Sequence, residues 1–296
     1  MPACKHEALP RRLLPMLATS AAPFDDPAYL FETKWDGVRA LASVDMGRWR
    51  LWGRAGTVYT ERYPELAALR RFPKGTIVDG ELVVIRDGRA DFHAVMSRHS
   101  RRPRRLPFFA EPVRYVIFDL LYLRGRSLMQ RPFAERRAQL HEHLVECPYV
   151  TFCRGVVGKG QNAFRAALAA GHEGVVAKHL NSTYVAGKRT ATWQKIKESL
   201  ELPCVVIGYR AGSSGRRAVQ LASLVKGKLC HVGAVDLGVR GDVLKRLETL
   251  RSPRPAIACS ATAQWVKPEQ FCIVRFAGWR PDGSWRDPVI ASWETS

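Results

Sequence analysis

Apolar and polar positions alternate with a period of two over short runs through most of the chain. YLFETK (29–34), VRALASV (38–44) and RWRLW (48–52) read as strands joined by tight turns, with Met46-Gly47-Arg48 as a hairpin loop. GTIVDGELVVIRDG (75–88) reads as two strands broken at Asp79-Gly80. VRYVIFDLLYL (113–123) is an almost unbroken apolar run rich in β-branched and aromatic residues, the signature of a buried strand. Helical spacing appears in YPELAALRRF (63–72), in PFAERRAQLHEHL (132–144), which starts on a proline, and in NAFRAALAAG (162–171), which ends on a glycine. EGVVAKHL (173–180) and TWQKIKE (192–198) return to strand spacing.

Near Pro203 the texture changes. PCVVIGYR, RRAVQLASLV, KLCHVGAVD and QFCIVRFAGW are evenly spaced strand candidates, interrupted by one helix, RGDVLKRLETL (240–250). The pattern predicts an α+β protein with mostly antiparallel sheets: a first domain over 1–200, then a small five-stranded barrel of the OB type over 201–296, with the boundary between about 198 and 204.

The chain has 296 residues and 46% hydrophobic residues, enough for two folded cores. It carries 47 Lys plus Arg against 27 Asp plus Glu, a net charge of +20. Self-repulsion of that size points to a regular polyanionic partner, with nucleic acid first. No basic amphipathic helix or long apolar run suggests a membrane. Seven cysteines form no CxxC pair or regular spacing, which argues against a disulfide framework and a structural zinc site and fits a reducing cytoplasm. The lead-in LLPMLATSAAP is interrupted by Pro15 and reads as an ordered approach to the first domain. The basic run RHSRRPRRLP (98–107) reads either as a solvated loop or as a polyanion-contacting arm, and YRAGSSGRR (209–217) as a hairpin loop.

One lysine changes the picture. Lys34 sits between an apolar run and the turn Asp36-Gly37, with Glu32 two residues before it on the same strand face and Arg39 on the next strand. A lysine amine is a nucleophile only when neutral, and its reference pKa of about 10.4 must fall through burial, neighbouring cations or a metal. The first domain supplies such surroundings in order: Arg54 in GRAG, Glu81 in DGEL, Phe118 in VIFDLL, Glu173 and Lys178 in EGVVAK, and Lys195 and Lys197 on one face of WQKIK. Each has an ordinary alternative: Arg54 a surface arginine, Glu81 a turn carboxylate, Phe118 a core side chain.

Taken together, KWDGVR, GRAG, DGE, VIFDLL, EGVVAK and WQKIK resemble the ordered motifs of the covalent nucleotidyltransferases, which include ATP-dependent DNA ligases, RNA ligases and mRNA capping enzymes. The resemblance covers about residues 16–200. PMLAT before FETKWDGVRAL, and the ending WVKPEQFCIVRFAGWRPDGSWRDPVI, look most like bacterial ATP-dependent DNA ligases of the end-joining and repair type. The hairpin GAVDLGV departs from that group's glycine-rich form. The resemblance implies a nucleotidyltransferase domain followed by an OB domain that moves about a hinge near Glu198–Pro203. It implies that Lys34 attacks the α-phosphorus of ATP, that Glu81 and Glu173 hold Mg²⁺ or Mn²⁺, and that Lys195 and Lys197 contact the α-phosphate. It further implies that Arg39 and Arg54 bind phosphates, that Glu32 and its backbone read adenine with Phe118 stacked on the ring and Lys178 beside it, and that Arg286 contacts pyrophosphate. The implied substrate is nicked duplex DNA. The implied setting is the bacterial cytoplasm and nucleoid, in a monomer, with any repair polymerase or end-binding protein acting in trans. An RNA ligase, a GTP-using capping-type enzyme and a non-catalytic nucleic-acid-binding relative are the rival readings.

Overall fold

The computed structural model describes residues 9–10, 12–100, 112–211, 217–237, 241–280 and 282–294. It divides into two units, Met1–Lys197 and Glu198–Ser296.

Two sheets build the first unit. One contains β1 (Leu17–Ser20), β2 (Asp26–Thr33), β11 (Gly155–Gly158), β12 (Gly174–His179) and β13 (Arg189–Lys197), in the order β1-β13-β12-β2-β11. The other contains β3 (Val38–Asp45), β4 (Arg48–Gly53), β5 (Thr76–Val83), β8 (Arg114–Leu123), β9 (Arg126–Ser127) and β10 (Val150–Phe152), in the order β10-β8-β5-β3-β4 with β9 on β8. A small hairpin pairs β6 (Ile85–Arg86) with β7 (Arg89–Ala90). Most pairings are antiparallel; β1 with β13 and β10 with β8 are parallel.

Alternation along the strands assigns each face its layer. Leu41, Trp52, Ile77, Val116 and Phe118 meet Leu30 and Trp193 of the first sheet in one buried cluster. Their neighbours Ala40, Ala42, Leu51, Val78, Tyr115 and Ile117 point the other way, onto Leu66, Leu69, Val95 of α1 (Phe92–Ser100) and Leu140 of α2 (Phe133–His143). Phe31, Val175, Ala177 and Ile196 cover the outer face of the first sheet beneath Ala167 of α3 (Gly160–Ala169).

The α+β class with mainly antiparallel sheets is what the sequence pattern predicts; one local expectation is corrected. Asp79-Gly80 does not break a strand. β5 runs straight through it, with a register shift against β8. Gly80 is there because β8 packs close: an added Cβ would lie 2.6 Å from the Tyr115 ring. The helical spacing of 63–72 is realised as a 3-10 helix over Pro64–Arg71. Its buried residues, Leu66 and Leu69, are three apart, which is the spacing that stacks on one face at three residues per turn. Of the basic run, Arg98 is buried and donates to Glu65 at 3.0 and 3.1 Å and to the Arg62 carbonyl at 2.7 Å, so it serves the interior. Residues 101–107 lie outside the described residues, as do 212–216 of the YRAGSSGRR loop and 238–239 of GAVDLGV.

The second unit holds β14 (Leu200–Ala211), β15 (Arg217–Val225), β16 (Lys228–Asp236), β17 (Gln264–Trp265), β18 (Phe271–Phe276) and β19 (Val289–Trp293). Its sheet is antiparallel in the order β16-β15-β14-β18-β19, with β17 on β14. Val206, Leu221, Val235 and Val274 form its core with Leu244 and Leu247 of α4 (Gly241–Thr249). Among the described residues, no helix is long and apolar enough to cross a membrane.

A fully buried ion pair ties α2 to β8. Arg136 and Asp119 are both fully buried; Nε and Nη2 donate to the two carboxylate oxygens at 2.8 Å each, and Nη1 donates to the carbonyls of Arg131 and Ser182 at 2.7 and 2.9 Å. Removing one partner strands the other charge in the core. Arg136→Met is therefore expected to lower unfolding free energy by about 3–5 kcal/mol, read from urea denaturation curves.

Candidate active site

β2 lies between β12 and β11, and its carboxyl end delivers Lys34. The Lys34 N–H donates to the Gly174 carbonyl at 2.9 Å, which fixes the backbone where the strand stops. The chain then turns through Asp36-Gly37 into β3. Gly37 has no room for a side chain, since a Cβ there would sit on the carbonyl oxygen of Leu82.

Register aligns the functional side chains in rows. Glu32 pairs with Val176 and Val176 with Lys195; one step along, Leu30 pairs with Lys178 and Lys178 with Trp193. In the second sheet Arg39 pairs with Glu81. These rows enclose a cavity of about 220 Å³ lined by Glu32, Lys34, Arg39, Arg54, Glu81, Phe118, Lys178 and Lys195. Thus eight of the sequence-predicted residues share one cavity. Glu173 and Lys197 join it through Lys34: Glu173 receives Lys34 Nζ on one oxygen and Lys197 Nζ on the other. Arg286 belongs to the second unit. It is exposed, with its N–H donating to Gly278 O at 2.9 Å and its carbonyl accepting from Ala277 at 2.8 Å.

The electrostatics separate the four carboxylates. Burial pushes Glu173 up, but the ammonium groups of Lys34 and Lys197 outweigh it and hold the carboxyl below its ordinary value. Burial pushes Glu81 up to about 7, only partly opposed by Arg39 and Lys34. Asp79 is fully buried and accepts Arg39 Nε and Nη2 at 2.6 and 2.7 Å and the Tyr184 hydroxyl at 2.6 Å. Glu32 is buried between Arg137 and Lys178. Lys178 Nζ lies 2.6 Å from Glu32 Oε2 and 3.9 and 4.3 Å from the centroids of Phe118 and Trp193. Burial outweighs the opposing pull of Glu32 and lowers the pKa of Lys178. Arg39 also sits 4.4 Å from the Phe118 ring, so that ring is a platform for two cations as well as part of the cavity wall.

A model of the ATP dependent DNA ligase domain family matches residues 15–197. This chain belongs to that family. It is 34% identical over 298 residues to the multifunctional non-homologous end joining DNA repair protein LigD of Mycobacterium tuberculosis, spanning 93% of this chain and 38% of that protein. It is 34% identical over 264 residues to a DNA ligase of Thermococcus fumicolans, spanning 81% of this chain and 47% of that protein. The match thus takes in less than half the length of these two relatives. Among solved structures, a mycobacterial DNA ligase D complexed with ATP and MES superposes with a TM-score of 0.57 at 29% identity, over 96% of this chain and 95% of that one.

Besides Asp79, four residues at or behind this cavity escape the sequence reading. Trp193 shares its strand face with Lys195 and Lys197, so the two-residue period carries a signal for it. Arg137, Tyr184 and Arg189 carry none, since tertiary contacts alone bring them in. Arg137 reaches Glu32 from α2, Tyr184 reaches Asp79 from the loop before β13, and Arg189 lines the cavity from the start of β13.

The raised Glu81 carboxyl has a consequence for stability. Between its ordinary 4.5 and about 7 the folded chain keeps a proton that the unfolded chain has released. Folding is favoured at the acid side of that window, and the contribution is lost as pH rises through it. Glu81→Gln keeps the protonated shape at every pH. Its melting temperature relative to the unsubstituted chain is expected to rise between about pH 5 and pH 8, measured by thermal denaturation in chelator.

Proposed function

We propose that this chain is the catalytic module of an ATP-dependent DNA ligase that seals nicks in duplex DNA through an AMP attached to Lys34. One observation carries this reading: the Lys34 amine is held by Glu173 at the mouth of a cation-rich cavity, in a chain of the ATP-dependent DNA ligase domain family.

In the first step Lys34 Nζ gives its ammonium proton to solvent and attacks the α-phosphorus of ATP with the freed lone pair; a P–N bond forms, the P–O bond to pyrophosphate breaks, and a second N–H proton leaves with pyrophosphate. Glu173, held low in pKa, is a poor base and a good anchor: Oε2 orients the amine and keeps it beside Lys197. Lys195 and Lys197 face the α-phosphate, and Arg54 and Arg39 supply positive charge to the other phosphates. Arg39 does so while gripped by Asp79, so it acts as a fixed charge. In the second step an oxygen of the 5′-phosphate at the nick attacks the same phosphorus and Lys34 leaves with its electron pair. In the third, the 3′-hydroxyl oxygen attacks the activated 5′-phosphorus and releases its proton to solvent, the P–O bond to AMP breaks, and AMP departs with the electron pair. All three steps shift negative charge between fixed cations, which is positioning chemistry.

Glu81 and Glu173 offer hard oxygen ligands, and both carboxyls act on the same Lys34 ammonium. That donor set fits Mg²⁺ (or Mn²⁺) bound by few protein groups and otherwise by water and phosphate. Such an ion supplies charge neutralisation at the α-phosphate.

The antiparallel sheet of the second unit supports the reading of residues 201–296 as an OB-type domain; the family resemblance adds Arg286 as a contact to pyrophosphate and a hinge near Glu198–Pro203, of which Leu200–Pro203 already pair with β18. The likeness to proteins named for non-homologous end joining supports a role in DNA repair.

Labelled ATP tests this directly. The chain is expected to take up label on Lys34 and to seal nicked duplex DNA, and Lys34→Ala to lose both. Label transfer persisting in Lys34→Ala would refute the assignment, and preference for GTP or for RNA strands would redirect it to a capping-type or RNA-joining enzyme.

A further inference from the structure

Glu32 is the cavity carboxylate that the family resemblance sets against the adenine base, and it is firmly held. Its side chain is 2% exposed, and each oxygen meets a different cation: Oε1 takes Arg137 Nη1, and Oε2 lies 2.6 Å from Lys178 Nζ. The two cations differ in position. Lys178 lines the cavity, packed against Phe118 and Trp193. Arg137 is not a lining residue. It comes from α2 behind Glu32, and its guanidinium is itself fixed twice, by Nη2 donating to the Cys153 carbonyl at 2.8 Å and by the Phe152 ring 4.3 Å away.

A carboxylate has about four lone-pair directions. One cation on each oxygen leaves capacity for a donor arriving from the cavity. A carboxylate held by a single cation swings toward it; held from two sides, it keeps one orientation and stays an acceptor. An acceptor fixed there favours a base that presents an amino group and opposes one that presents a carbonyl oxygen, whose lone pairs would face the carboxylate.

We propose that Arg137 is a specificity-determining positioning residue: by holding Glu32 from behind, it sets the nucleotide pocket to read the 6-amino group of a purine. The inference rests on the ligase reading above and adds a residue that touches neither base nor phosphate.

The test is the rate of label transfer to Lys34 from three triphosphates: ATP, GTP and the purine riboside triphosphate that has hydrogen at position 6. Arg137→Met is expected to lower kcat/KM for ATP about tenfold, mainly through KM, while changing the value for the 6-hydrogen analogue by less than about twofold. The ATP-over-GTP ratio falls with it, and Arg137→Lys, which keeps the charge, recovers most of it. A purely structural role would lower all three nucleotides together, and that outcome, or an unchanged ATP value, overturns the proposal. The analogue also serves as the folding control, since a misfolded variant would lose it. Failure of the unsubstituted chain to accept label from any nucleotide would instead overturn the ligase reading.

Discussion

The site depends on one carboxylate shared by two amines. Glu173 stands between Lys34 and Lys197 with one oxygen for each. Two ammonium groups this near one another repel strongly in a half-buried setting, and an anion between them turns the repulsion into a bridge. The bridge also decides where the Lys34 amine points. Lys34 follows the last residue of a strand and its side chain has four rotatable bonds; the backbone bond to Gly174 fixes its start and Glu173 fixes its tip. Gly174 follows Glu173 directly, so a single short segment entering β12 holds both ends of the lysine.

The second tier repeats the device with different chemistry. Asp79 grips Arg39, and Tyr184 grips Asp79 while accepting the N–H of Met16 at 2.9 Å. The lead-in segment is thereby tied to the centre of the second sheet and, through Arg39, to the Phe118 ring. Arg39 and Lys178 both lean on Phe118, so a residue that sequence alone presents as core or as stacking platform is in fact the surface against which two cations are desolvated.

How much of this was legible in the chain follows from what each residue's signal depends on. The strands of the first unit and the pairing of Lys195 with Lys197 come from a period-two pattern, which is local and survives folding unchanged. The ordered motifs placed eight residues in one cavity: Lys34 and Arg54 lie just past strand ends, and Glu32, Arg39, Glu81, Phe118, Lys178 and Lys195 lie within strands whose alternation turns them to it. Asp79-Gly80 misled for the opposite reason: Asp-Gly signals a turn locally, but here the glycine makes room for the Tyr115 ring arriving from another strand. Arg137 and Tyr184 were illegible because an arginine in a charged helix and a tyrosine in a loop look ordinary until the fold supplies Glu32 and Asp79. Arg98 shows the same limit: it reads as the start of a basic run, and a carboxylate 33 residues away takes it inside.

The net charge of +20 finds part of its meaning in the same pocket. Lys34, Arg39, Lys178, Lys197 and Arg137 are all matched to Glu32, Asp79 or Glu173, so three anions organise five cations. Arg54 and Lys195 line the cavity beside them. An excess of fixed positive charge is costly in an empty pocket and favourable around a triphosphate, and the carboxylates lower that cost before any ligand arrives. They do so without cancelling the excess, because each is shared by more than one donor. A site with one carboxylate per cation would be more stable and would have nothing left to offer a phosphate. The sharing is therefore the feature that reconciles a folded, preorganised pocket with the charge its chemistry requires.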